Sequence, residues 1–269
     1  KYGHARTTLE SLLATHPQLD ILIVGLSTTL VRLAAIERER GRPDAALPVA
    51  RAGLRHAEAL VGRGLTYGHG LQAEALREIG SVLKDEDDPE GALASFTEAE
   101  RAAEALERAD PGGSANALLR ASIADTIAEL HMSAGRSGPA LDEASRAVEL
   151  IAPLVDADRP NAGYGRAFAA AILIQGDAEA AGGRTADALA SYDRADARLR
   201  PIVEMDKLNT LVAGERVDAR ERIASALQQT GEFDRALAIR EEALARRTEL
   251  ADAWPGEIRP RRRLTRAFS

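Results

Sequence analysis

Cysteine is absent from the 269 residues, which excludes disulfides, thiol nucleophiles and cysteine-ligated zinc. Aromatic residues make up only 3% of a chain that is 45% hydrophobic. Its core must therefore be built from Ala, Leu, Ile and Val, the residues of helix packed on helix. Lysine occurs only at positions 1, 84 and 207, and the Arg and Ala that dominate instead suit a bacterium with a GC-rich genome. No run of 18 apolar residues exists, the best short one being Ile21 to Leu26, too short to cross a bilayer. With no signal-peptide pattern either, the expected location is cytoplasmic, without membrane contact by this segment. A formal net charge of -7 argues against nucleic-acid binding, because neutralising phosphates needs a positive surface. The local exception is Arg259, Arg261, Arg262, Arg263 and Arg266, read as the solvated face of a helix.

Sites for chemistry are lacking as well. No GxxxxGK[ST] loop occurs, and GRGLTYGHG at 62–70 lacks the GxGxxG spacing of a dinucleotide loop, so it reads as a flexible connection between helices. There is no GxSxG elbow and no protein-kinase set of Gly-rich loop, HRD and DFG. The five histidines, at 4, 16, 56, 69 and 131, never form HExxH, and His131 is expected to pack rather than bind metal. The acidic run Asp85-Glu86-Asp87-Asp88 lacks the alternation of a calcium loop. Placed before Pro89, it reads as a helix start, where acidic residues favour the positive end of the helix dipole. The segment is thus expected to be no enzyme and to need no cofactor or metal.

What the chain does contain is repetition. An Ala-Leu pair stands at Ala46-Leu47, Ala92-Leu93, Ala140-Leu141, Ala188-Leu189 and Ala236-Leu237, in steps of 46, 48, 48 and 48 residues. GRPDAAL at 41–47, GRSGPAL at 135–141, GRTADAL at 183–189 and GEFDRAL at 231–237 surround four of them, and DEDDPEGAL at 85–93 is a variant without the leading Gly. Twelve residues before each Ala lies a small residue (Ala34, Gly80, Ala128, Gly176, Ala224), and seven after it another (Gly53, Ala99, Ala147, Ala195, Ala243). Small side chains at fixed places let two helices approach closely, and Gly41, Gly135, Gly183 and Gly231 suit the left-handed conformation that ends the first. Four residues after the Ala, an aromatic plug is used twice, as Phe96 and Tyr192, while Ala50, Ala144 and Arg240 take its place elsewhere. Self-similarity at such a period means an array of supersecondary units.

The pattern resembles the tetratricopeptide repeat over nearly the whole chain: a small residue on the first helix, Gly at the turn, then Ala, an aromatic and Ala on the second. It departs from that pattern where the usual large aromatic of the first helix is Leu30, Leu76, Ala124, Ile172 or Arg220, and in a unit of about 48 residues. The long unit, with DP-like breaks ADPGG at 109–113, ADRPN at 157–161 and ADAWPG at 251–256, is similar to arrays that follow bacterial serine/threonine kinase domains. Such arrays also occur in regulatory ATPases and caspase-like proteins. The resemblance implies an all-α, right-handed α-solenoid of antiparallel helix pairs forming a single domain over 1–269. Its repeats are placed at about 18–65, 66–113, 114–160, 161–208 and 209–256, with partial units at 1–17 and 257–269. Because Tyr2, Ala5 and Pro17 fall where a preceding unit would put them, the chain is expected to be a fragment of a larger protein.

In such arrays the first helices line a groove, and the resemblance carries that role to Arg77 and Lys84, and to the acidic set Asp125, Glu129, Asp177, Asp218 and Glu221. No groove position is Asn, so the Lys/Asn clamp of chaperone-binding members has no counterpart. The acidic residues, from three successive first helices, predict a strip suited to a basic protein or peptide. The implied function is a partner-binding regulatory or sensory scaffold of a bacterial signalling protein. The alternative is an array that self-associates, through its solenoid ends, without a dedicated ligand.

Overall fold

A computed structural model describes residues 2–206 and 209–253. Among them the only regular elements are eleven helices: α1 (Tyr2–Thr15), α2 (Asp20–Glu39), α3 (Pro43–Gly62), α4 (Tyr67–Asp85), α5 (Pro89–Ala109), α6 (Ser114–Ser133), α7 (Ser137–Ala157), α8 (Ala162–Ala181), α9 (Thr185–Met205), α10 (Thr210–Gln229) and α11 (Phe233–Ala253). The repeat thus predicts a first and a second helix per unit, and α2 to α11 supply five such pairs. The fold is an all-α solenoid.

Contacts divide the chain into two compact units, Lys1–Ile123 and Ala124–Ser269, with α6 contributing to both. Within the first, α2 packs on α3, α3 on α4 and α4 on α5, and the first helices α2 and α4 touch. Within the second, the succession runs from α7 to α11, and the first helices α8 and α10 touch. Neighbour-only packing is what a stack of units gives, each burying its apolar face on the next.

The turns follow from the sequence. Gly41, Gly135, Gly183 and Gly231 all have φ between 70° and 84°. Around Gly41, the Gly41 amide donates to Arg38 O at 2.9 Å and the Arg42 amide to Glu37 O at 3.0 Å, the paired bonds that close a helix through a left-handed residue. In the variant unit Asp87 holds that place at φ 62°, with the same two bonds, to Lys84 O and Leu83 O. Asp88 then caps α5 by accepting from the Gly91 amide at 2.9 Å, ahead of Pro89. The acidic run is therefore a helix stop and a helix start. The glycine run at 62–70 is less of a connection than expected, since Tyr67 to Gly70 already belong to α4.

Small residues hold the helix pairs together. Ala46, Ala92, Ala140 and Ala188 have no exposed surface, and Ala236 has 4%. The two variable places compensate one another. Where the first helix offers Gly, the second supplies a ring: a methyl at Gly80 would lie 3.0 Å from Phe96, and one at Gly176 2.5 Å from Tyr192. Where the first helix offers Ala34 or Ala128, the second supplies Ala50 or Ala144, all four fully buried. Volume is conserved at the crossing, as close packing demands.

Candidate functional site

The first helices place their polar residues along one side, and in the second unit α8 and α10 enclose a bay of about 370 Å³ closed at its base by α9. Asp177 on α8, Tyr192 on α9, and Asp218, Glu221, Arg222 and Ser225 on α10 line it. Three of the residues expected to face a groove, Asp177, Asp218 and Glu221, thus converge on one cavity. Asp125 and Glu129 on α6 are not among its lining, and Arg77 and Lys84 on α4 belong to the first unit, Arg77 half-buried and Lys84 exposed.

The carboxylates of the bay are held by arginines. Arg222 grips Asp177 with two bonds, Nε to Oδ1 at 2.8 Å and Nη2 to Oδ2 at 2.9 Å, the planar fork that suits a carboxylate. The Tyr192 hydroxyl donates to the same Oδ1 at 2.9 Å. Burial and the Asp177 charge push that phenol well above its usual range, so it stays a donor. Burial works against the Arg222 cation, but the hydrogen bond and charge of Asp177 outweigh it and raise its pKa. Behind the bay, buried Arg247 of α11 donates through Nη2 to Asp218 Oδ1 at 2.9 Å and to Glu221 Oε2 at 2.7 Å. Three carboxylates therefore face two guanidinium groups, leaving one negative charge in excess among these five.

Elsewhere on the first helices the pattern differs. In the first unit Arg38 Nε donates to buried Glu78 at 2.8 Å and its Nη1 to Asp85 at 3.2 Å, linking α2 to α4. On α6, Asp125 has a buried oxygen without a hydrogen-bond partner. Its burial, with the Glu129 charge one turn away as the lesser cause, raises its pKa to about 7. His131 is half-buried and its pKa is lowered, first by burial and then by Arg136.

Arg222 and Arg247 are what reading the sequence by groove position missed. Arg222 is 45 residues after Asp177, one turn short of the 48-residue period, and a search for opposite charges near that offset would have paired them. Arg247 lies on a second helix, where no groove residue was sought. The bay holds no pairing of nucleophile and base, and among the described residues no group of three or more His, Asp or Glu could hold a metal ion. No described helix is long and apolar enough to cross a membrane. What the arrangement offers is recognition: fixed carboxylates, with the exposed Ser225 and Gln229 beside them.

No protein-family model and no curated protein matches the chain in sequence. Solved structures match in fold. BtubC (BKLC) from P. vanneervenii superimposes with a TM-score of 0.71 at 13% identity, over 95% of this chain and 90% of that one. A Signal Transduction ATPase with Numerous Domains from Pyrococcus horikoshii, which carries a tetratricopeptide repeat sensor, gives 0.64 at 14% identity over 99% of this chain and 37% of its own. At these identities the likeness concerns the fold, that of tetratricopeptide-type arrays.

Proposed function

We propose that the chain is a protein- or peptide-binding scaffold, the regulatory or sensory segment of a larger bacterial signalling protein such as a serine/threonine kinase, acting in the cytoplasm. The observation that carries this reading is the convergence of Asp177, Asp218 and Glu221 on one bay between two first helices. Carboxylates locked by arginines keep their positions without reorganising, and their residual negative charge selects a segment bearing Arg or Lys. The sensor array of the Pyrococcus horikoshii ATPase supports the regulatory setting.

The test leaves the ion pairs intact. Ser225 is exposed on the rim of the bay, and Ser225→Lys reverses the local field without unpairing Asp177 or Asp218. An array of Arg- and Lys-bearing peptides is probed with the wild type and with this variant. The expectation is retention by the wild type that falls about tenfold in the variant. It should also fall as salt rises through 0.1 M, where charges about 10 Å apart become screened. Equal retention by both proteins, or none by either, overturns the proposal.

A further inference from the structure

The last second helix exposes an apolar face that its counterparts cover. Leu237 is 59% and Leu244 37% exposed, whereas Leu47, Leu93, Leu141 and Leu189, at the same place in their repeats as Leu237, are half-buried.

The place of Leu244 is informative across the repeats. Eight residues after the repeat Ala stand Leu54, Glu100, Val148, Asp196 and Leu244, and twenty residues further on stand Glu74, Arg120, Phe168, Arg216 and Leu264. Glu100 accepts from Arg120 Nε at 2.8 Å. Asp196 accepts from Arg216 Nε at 2.8 Å. Val148 and Phe168 pack against one apolar cluster. These two places thus join a second helix to the next first helix, and their chemistry is matched in kind: ionic twice and apolar once. The exception is Leu54, which packs with Leu47 and Leu83 instead, while Glu74 is exposed. Leu244 and Leu264 continue the matched series as an apolar pair.

Residues 257–269, where Leu264 lies, are outside the described residues, but the register reaches them. The connections from α5 to α6, α7 to α8 and α9 to α10 are four residues long, and α6, α8 and α10 start at 114, 162 and 210. Four residues after Ala253 lead to a start at 258, the next 48-residue step. In that register Ala267 takes the place of Ala75, Ile123, Ala171 and Ala219, all without exposed surface. Phe268 takes that of Leu30, Leu76, Ala124 and Ile172, all buried. Charge agrees too, for the 45-residue step that joins Asp177 to Arg222 leads from Asp218 to Arg263 and from Glu221 to Arg266.

We propose that the exposed face of α11 is the docking surface for this chain's own residues 257–269, folded as a further first helix with Leu264 covering Leu244. The segment then closes the apolar end that would otherwise draw a second copy, and its arginines lie along the acidic side of α10.

The chain has no cysteine of its own, which makes a proximity test clean. The full chain carrying Leu244→Cys and Leu264→Cys is oxidised, beside a control with Leu244→Cys and Ser269→Cys. The expected result is a disulfide within one chain, seen as a faster-migrating monomer with its thiols lost, at least tenfold faster than in the control. A disulfide between chains would assign the face to a second copy, and free thiols would leave the segment undocked; either overturns the proposal. A charge exchange gives a second readout. Leu244→Asp or Leu264→Arg alone should lower the melting temperature and promote association, and the double variant, which recreates the pairing of Asp196 with Arg216, should recover most of the loss. Losses that simply add in the double variant also overturn it.

Discussion

The exchange of volume between Gly176 and Tyr192 predicts a reversal of sign. A methyl added at Gly176 would stand 2.5 Å from Tyr192 Cε1 and 2.8 Å from Cδ1, well inside van der Waals contact, so ring or backbone must move. The ring is not free to move, because its hydroxyl is bonded to Asp177 at 2.9 Å and Asp177 is clamped by Arg222. Overpacking of this kind costs about 1–3 kcal/mol, while replacing Gly by Ala within a helix returns about 0.8–1 kcal/mol. Gly176→Ala in the native background should therefore destabilise by roughly 1–2 kcal/mol. In a Tyr192→Ala background the same substitution recreates the buried Ala128 and Ala144 crossing, the clash is gone, and Gly176→Ala should stabilise by about 0.8 kcal/mol. The cycle should give a coupling of about 2–3 kcal/mol. Urea unfolding followed by circular dichroism measures the four proteins, and amide exchange in α8 and α9 localises the change. Gly80→Ala is the internal comparison: there the methyl would lie 3.0 Å from Phe96, whose ring has no hydroxyl to anchor it, so its cost should be smaller. A Gly176→Ala variant that destabilises equally in both backgrounds would refute the volume argument.

Three further outcomes follow from single positions. Asp87, the one described non-glycine residue at positive φ, should yield a gain of about 1 kcal/mol as Asp87→Gly, because glycine enters the left-handed region without the penalty of a Cβ; calorimetry checks it. Ala188→Leu, at a fully buried crossing, should overpack the pair formed by α8 and α9 and cost about 1–3 kcal/mol, and an unchanged melting temperature would count against that placement. Asp125, with a folded pKa of about 7 against an ordinary 3.8, costs nothing while both states are protonated below pH 4; its penalty grows between pH 4 and 7 and is constant above. Asp125→Asn should therefore raise the melting temperature at pH 8, by on the order of 2–4 kcal/mol of stability, with the gain fading as pH falls to 4; a gain independent of pH would exclude this origin.

The helices were legible because the repeat states each one five times. The spacing predicts helices at 18–40, 43–64, 66–85, 89–109, 114–134, 137–157, 161–182, 185–205, 209–230 and 233–252, and α2 to α11 agree at every end to within two residues. Stops and starts are local matters of Gly41 or Asp88, readable from a handful of neighbours. The site was less legible because charge pairing is not local to one repeat. Asp177, Asp218 and Glu221 do share a bay, yet a reading of first helices alone assigns them a bare acidic field. Arg222 and Arg247, one turn out of register and on another helix, neutralise most of it. The same arithmetic explains why the helix crossings look irregular in sequence and regular in space. Phe96 and Tyr192 look like an aromatic place left empty in other units until Gly80 and Gly176 are set beside them, when each crossing turns out to hold similar volume. A repeat array conserves sums across its interfaces more strictly than it conserves residues. Partners at fixed offsets, such as 16 residues for the crossings, 20 between successive units and 45 between first helices, are therefore the quantities from which its contacts can be read.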